Sequence, residues 1–159
     1  MNFRIGEGFD VHRLEEGETF IIGGIELEHH KGTVAHSDGD VLIHAICDAL
    51  LGAANLRDIG YHFPDNSKDF KNIDSKVLLK QTYNLLKEKG YSISNIDSTI
   101  CLQQPKLKEH IEDMKTSLAN VLALNIDQVS IKATTTERLG FVGREEGISA
   151  RAVVLIYKS

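Results

Sequence analysis

A single α+β domain, with helices packed on one face of a mixed β-sheet, is what this sequence predicts, and three observations carry the prediction. The length of 159 residues and the 42% hydrophobic content suit one ordinary core, with residues 1–159 as its only domain. Period-two stretches open and close the chain. Amphipathic helical stripes alternate with strands between them, and no internal repeat, linker or low-complexity tract interrupts the order.

Taken in order, Phe3, Ile5, Phe9 and Val11 alternate with Arg4, Gly8, Asp10 and His12, so the first strand has one apolar and one polar face. The apolar face is expected to meet the core, with Asp10 and His12 projecting together away from it. A short strand over Thr19–Ile22 stops at Gly23 and Gly24, and the polar stretch from Glu26 to Gly32 reads as a loop or hairpin. Ser37-Asp38-Gly39-Asp40 starts a helix whose Ile43, Ile46, Cys47, Leu50 and Leu51 follow helical spacing. His44 and Asp48, four apart, share one face of it.

Leu56 to Asn72 shows neither periodicity and reads as a long irregular segment of the kind that carries function. Asp74 caps a second helix with Leu78, Leu79, Thr82, Leu85 and Leu86 in a stripe, and Gly90 ends it. Ile96 to Leu102 is a strand. Pro105 opens a third helix with Leu107, Ile111, Met114, Leu118 and Val121 on one face, Val129 to Ala133 is a strand, and Ile148 to Tyr157 is a closing apolar strand.

A net charge of −5 and a pI near 5.8 give a field that repels polyanions, so neither a nucleic acid nor a membrane surface is expected as a partner, and phosphate binding has to be local. No run approaches the roughly 20 apolar residues of a membrane span, and no signal segment opens the chain. Cys47 and Cys101 sit far apart in apolar segments, as buried reduced thiols do, so the expected compartment is reducing and cytoplasmic.

Asp10 and His12 lie two apart on a strand, which lets a carboxylate and an imidazole reach one ion, and His44 can supply a third ligand. Two histidines and a carboxylate leave a tetrahedral zinc with a vacant position, the arrangement of a catalytic site. Each piece alone has a plainer reading, a solvated pair and a hydrogen-bonded helix histidine. His36 and Ser37 stand at the start of the His44 helix, where free backbone N–H groups favour an anion; the alternative is that Ser37 or Asp38 is only a cap. Thr134, Thr135, Thr136 and Glu137, followed by Phe141 and Arg144, offer hydroxyls and an Arg for phosphate and a carboxylate for Mg²⁺. The alternative there is a Thr-rich strand end whose charges pair on the surface.

The motifs GFDVH, AHSDGDVLIHAICDALLGA, DIG with FPD, QPK and KATTTERLGFVGREEG, in that order, resemble the cyclodiphosphate synthase family of the non-mevalonate isoprenoid pathway, from residue 4 to about residue 157. The resemblance implies an enzyme that converts 4-diphosphocytidyl-2-C-methyl-D-erythritol 2-phosphate to the 2,4-cyclodiphosphate and releases CMP, as a homotrimer with active sites between subunits. It implies one Zn²⁺ per subunit on Asp10, His12 and His44, and Mg²⁺ or Mn²⁺ on Glu137 with the substrate diphosphate. His36 and Ser37 match contacts to the phosphates; Asp48, Asp58, Ile59 and Gly60 hold the methylerythritol part; Phe63 and Asp65 belong to a loop over it. Leu102 to Lys108 come from the neighbouring subunit's cytidine pocket or its rim, with Lys106 near the phosphates. Thr134, Thr135, Thr136 and Glu137 bind the diphosphate, and Phe141 and Arg144 line the trimer axis and pocket. His36 and Thr135 are the expected stabilisers of the pentacoordinate phosphorus. Arg151 stands where some relatives carry an acidic residue. The rival readings are a zinc-dependent nucleotide phosphohydrolase, which puts solvent oxygen into its product, and a non-catalytic nucleotide-binding module.

Overall fold

A computed structural model describes residues 2–158. The chain runs β1 (Phe3–Glu16), β2 (Phe20–Ile22), β3 (Ile25–Leu27), β4 (Lys31–Val34), α1 (Val41–Ala53), α2 (Ile59–His62), α3 (Ser75–Glu88), β5 (Tyr91–Cys101), α4 (Ile111–Leu122), β6 (Val129–Thr134), α5 (Gly140–Gly143) and β7 (Gly147–Lys158). Five strands form one mixed sheet in the order β4-β1-β7-β5-β6, and β2 and β3 form a separate hairpin. Among the described residues only β5 and β6 pair in parallel, and α4 supplies the crossover that a parallel pair requires.

All the larger helices lie on one side of the sheet, as expected of an α+β fold. Ile148, Ala150, Ala152, Val154 and Ile156 of β7 and Ile96 and Ile100 of β5 point at that side and are buried. α1 is buried on almost every face, between the β1–β7 surface and α3, which is why its residues are apolar nearly all round. Its N-cap is Asp40, whose carboxylate accepts from the Ile43 N–H at 3.0 Å and from the Gly23 and Gly24 N–H groups at 3.0 and 2.6 Å. Burial pushes this carboxyl above its ordinary value, opposed by the bonds from the Ile43 and Gly24 N–H groups.

The first strand is where expectation and structure part. Its alternation is real, but the faces are exchanged: Phe3, Ile5, Phe9 and Val11 are exposed on the helix-free side, while Gly6, Gly8 and Leu14 face the core and Asp10 and His12 lie half-buried on that same inner face. Gly6 and Gly8 explain the exchange. A Cβ at Gly8 would lie 2.0 Å from the Ala45 carbonyl oxygen and one at Gly6 1.9 Å from that of Ala49, so α1 can rest against β1 only because these residues lack one. That close approach brings the first turns of α1, with His44, to the end of the strand that carries Asp10 and His12.

Smaller corrections follow local chemistry. Part of the polar stretch from Glu26 is strand: β3 hairpins back on β2, and β4 pairs antiparallel with the end of β1. Leu56 to Asn72 contains α2 and a 3₁₀ turn at Lys68–Phe70, each too short to show a period. Pro105 sits after a cis peptide bond in the loop beyond β5, and the helix itself begins at Ile111. Cys47 is buried and burial pushes its thiol up to about 12, so it is inert; Cys101 is free and only half-buried. Among the described residues no helix is long and apolar enough to cross a membrane.

Candidate active site

Asp10 and His12 leave β1 on one face and meet His44 from α1. The Asp10 Oδ2 atom lies 3.0 Å from His12 Nε2 and 3.0 Å from His44 Nδ1, and the two ring nitrogens are 3.2 Å apart. Three donor atoms converge on one point. A tetrahedral zinc with bonds of about 2.0–2.1 Å holds its ligands roughly 3.3 Å apart, so this cup needs to open by only tenths of an ångström to take the ion. Two imidazole nitrogens and one carboxylate oxygen are the donor set that suits zinc.

The electrostatics fit a cation. Burial opposes ionisation of Asp10, yet its bonds to His12 and His44 bring the carboxyl down to about 2. Burial likewise opposes protonation of His44, but the bond to Asp10 and the nearby charges of Asp10, Asp40 and Asp38 hold the imidazole above its ordinary value. The cup is an electronegative well.

A cleft of about 300 Å³ opens from it, lined by His12, His36, Ser37, His44, Ile59, Gly60, Phe63 and Asp65. His36 donates its Nε2–H to the Ser67 carbonyl at 3.0 Å, which ties the start of the His44 loop to the segment after Phe63. Asp48 lies beneath: its Oδ1 accepts from the Ile59 N–H at 2.7 Å and so fixes the α2 start, while Asp58 caps that turn through the Tyr61 N–H at 2.9 Å. Burial raises the Asp48 carboxyl, opposed by the bond from Ile59.

The remaining candidates are not gathered here. Lys106, Thr134 and Thr135 line a second cavity of about 440 Å³ with Leu102, Pro105 and Leu107. Phe141 lines a third groove, with His12, Lys31 and Glu146. Thr136 is half-buried and spends its hydroxyl on the Leu139 carbonyl at 2.7 Å, and Glu137 is exposed with its N–H on Thr135 Oγ1. Arg144 pairs with Glu146 at 2.7 Å on the surface.

Asp38 and Asp40, which the sequence reading left at a helix start, and Ser75, which it did not single out, prove to matter. The Ser75 hydroxyl lies 2.9 Å from His44 Nε2. Phe70, Ile73 and Leu78 also line the cleft. No local spacing marks them, because they come from α3 and the turn before it.

An open two-histidine, one-carboxylate cup on an α+β scaffold, with Ser37 in its cleft and a separate cavity that carries Lys106, Thr134 and Thr135, is the arrangement of a metal-dependent enzyme of phosphate chemistry. The family is settled by comparison: the YgbB family model matches residues 3–157, and the chain belongs to that family, the 2-C-methyl-D-erythritol 2,4-cyclodiphosphate synthases, and is a lyase acting on phosphorus–oxygen bonds. A 2-C-methyl-D-erythritol 2,4-cyclodiphosphate synthase from Bacteroides fragilis is 65% identical over 156 residues, covering 98% of each chain. Among solved structures, the bifunctional IspDF of Campylobacter jejuni superposes with a TM-score of 0.96 at 42% identity; the match takes in 99% of this chain and 43% of that one. A CDP complex of IspF from Plasmodium falciparum gives 0.87 at 32% identity, over 99% and 97% of the two chains.

Proposed function

We infer that the Asp10–His12–His44 cleft is where this chain cyclises 4-diphosphocytidyl-2-C-methyl-D-erythritol 2-phosphate to 2-C-methyl-D-erythritol 2,4-cyclodiphosphate and releases CMP, in the non-mevalonate route to isoprenoid precursors. The observation that carries this reading is the convergent donor set at the mouth of the cleft in a chain of this family. An oxygen of the substrate's own 2-phosphate forms the new bond to the β-phosphorus. The bond from that phosphorus to the oxygen bridging to CMP breaks, and its electron pair leaves with CMP. No water is consumed and no protein nucleophile is needed, so catalysis is positioning and charge neutralisation. When bound, zinc on Asp10, His12 and His44 and Mg²⁺ or Mn²⁺ on Glu137 supply Lewis-acid charge to the diphosphate oxygens.

The chain's own groups do the rest. Ser37, which lines the cleft, gives its hydroxyl to a phosphate oxygen; the expected free N–H groups of α1 do not contribute, because Asp40 caps the helix and Val41, Leu42 and Ile43 are fully buried. His36 and Thr135 give hydrogen bonds to the equatorial oxygens as charge grows there. Asp48 fixes the Asp58-Ile59-Gly60 turn that holds the methylerythritol, under Phe63 and Asp65. Thr134, Thr136 and Arg144 hold the diphosphate, and Lys106, at the rim of the neighbour's cytidine pocket, stands near the phosphates.

The assembly is a homotrimer with each active site shared between subunits. Two features support this. The metal cleft and the Lys106–Thr135 cavity are separate on one chain, as the two halves of a shared site are. The helix-free face of the sheet exposes Phe3, Ile5, Phe9, Val11 and Val153 together, an apolar area that neighbouring chains cover. Free thiols suit a reducing, cytoplasmic setting. Chelation tests the metal requirement: dialysis against a chelator should remove one zinc per chain and abolish turnover, and zinc with Mg²⁺ should restore it where Mg²⁺ alone does not. A metal-free chain that turns over undiminished would overturn the reading.

A further inference from the structure

The two nitrogens of His44 face different partners, and only one of those partners belongs to the metal cup. Nδ1 points at Asp10 and His12, whereas Nε2 lies 2.9 Å from Ser75 Oγ and 3.2 Å from Ser37 Oγ. Ser75 is fully buried at the first turn of α3. Its hydroxyl is 2.5 Å from Asp38 Oδ1, its backbone N–H donates to Asp38 Oδ2 at 2.8 Å, and the Asp40 N–H donates to Asp38 Oδ1 at 3.1 Å.

We propose that Asp38 and Ser75 form a positioning relay that sets the tautomer and orientation of His44, so that Nδ1 meets the metal as a bare lone pair. The argument is a proton count. An ionised carboxylate only accepts, so the single Ser75 hydroxyl proton goes to Asp38. Ser75 Oγ is then an acceptor toward His44, and Nε2 carries the proton of the neutral ring. Nδ1 is left unprotonated, facing the cup. Ser37 Oγ can likewise only accept from Nε2–H, which frees its own proton for an oxygen in the cleft it lines. Asp38 therefore acts on the metal through two intervening residues, and it does so from the same loop that carries His36 and Ser37. Such outer partners change metal affinity by about 10–100-fold when removed.

Asp38→Asn inverts the count. An amide bound by the Ser75 backbone N–H through its oxygen turns its NH₂ toward Ser75 Oγ, whose proton then points at His44 Nε2 and drives the ring proton to Nδ1. Ser75→Ala simply removes the acceptor.

This inference rests on the metal-site reading of His44, and the test separates the two. Zinc affinity is measured by chelator competition for the wild type, Ser75→Ala and Asp38→Asn, with melting of the metal-free forms as a fold control. Long-range ¹H–¹⁵N correlation of the histidine rings in the zinc-loaded wild type reports which nitrogen holds the proton. The relay predicts zinc on Nδ1 and a proton on Nε2 of His44, and about 10–100-fold weaker zinc binding in each folded variant. Should Asp38→Asn fail to fold, Ser75→Ala decides, since it deletes one oxygen. Folded variants that bind zinc within about threefold of wild type, or zinc found on Nε2, overturn the relay while leaving the metal site intact; a wild type that takes up no zinc overturns both.

Discussion

Replacing His44 with alanine is expected to leave a folded chain that holds no tight zinc and turns over at least roughly a thousandfold more slowly, about 4 kcal/mol of lost transition-state stabilisation. His44 is one of three convergent donors, and two remaining ligands on a single strand cannot enclose the ion. The fold should survive because the ring sits at the edge of the core, against Ser75 and Ser37, and the Ser75 proton stays on Asp38. The cavity and lost hydrogen bonds cost about 1–3 kcal/mol. Metal analysis, circular dichroism and ³¹P product assay on one preparation check all three parts. A variant that stays zinc-replete and active would remove His44 from the site.

The second large effect is expected at Ile5→Asp. Ile5 is 73% exposed in the isolated chain, on the helix-free face near the start of β1, paired across β1 and β7 with Leu155. In a trimer that covers this face the new carboxylate is desolvated, at several kcal/mol per ion. Nothing nearby on its own strand offsets that: Glu7, the next residue on the same face, is of like charge and already bound to Arg151 at 2.8 Å. The expected result is a folded monomer by sedimentation velocity with activity at least about a hundredfold down, because each cleft then lacks the neighbour's cavity. A trimeric Ile5→Asp protein would place the interface elsewhere, and an equally active monomer would show that one chain holds a whole site.

The same strand shows how far the sequence could be read. Period-two alternation located β1 correctly, and the Asp10-x-His12 spacing with His44 gave the metal cup. The pattern could not say which face meets the helices. Phe3, Ile5, Phe9 and Val11 read as core because they are apolar, yet the core side belongs to Gly6 and Gly8, whose missing side chains admit α1. Hydrophobicity reports burial without saying whether a helix or another copy of the chain does the burying. The Asp38–Ser75 connection was illegible for a different reason: the partners are 37 residues apart, and Ser75 follows an ordinary Asp74 cap. α2 and the 3₁₀ turn at Lys68–Phe70 escaped because one turn of helix shows no period. The roles of Asp48 and Lys106 came from motif order alone; for His36, Ser37 and the threonines local chemistry offered a phosphate contact but could not separate it from caps and surface pairs, and Arg144 with Glu146 is such a pair in the isolated chain.

The most direct measurement of the central claim is ³¹P NMR of the reaction run in ¹⁸O-enriched water with Zn²⁺ and Mg²⁺ present. Internal attack predicts a coupled cyclic-diphosphate pair and an equal amount of CMP, with no heavy oxygen in either. Heavy oxygen in CMP or in a linear diphosphate would contradict it, and would mean that the zinc cleft hydrolyses its substrate instead of closing it.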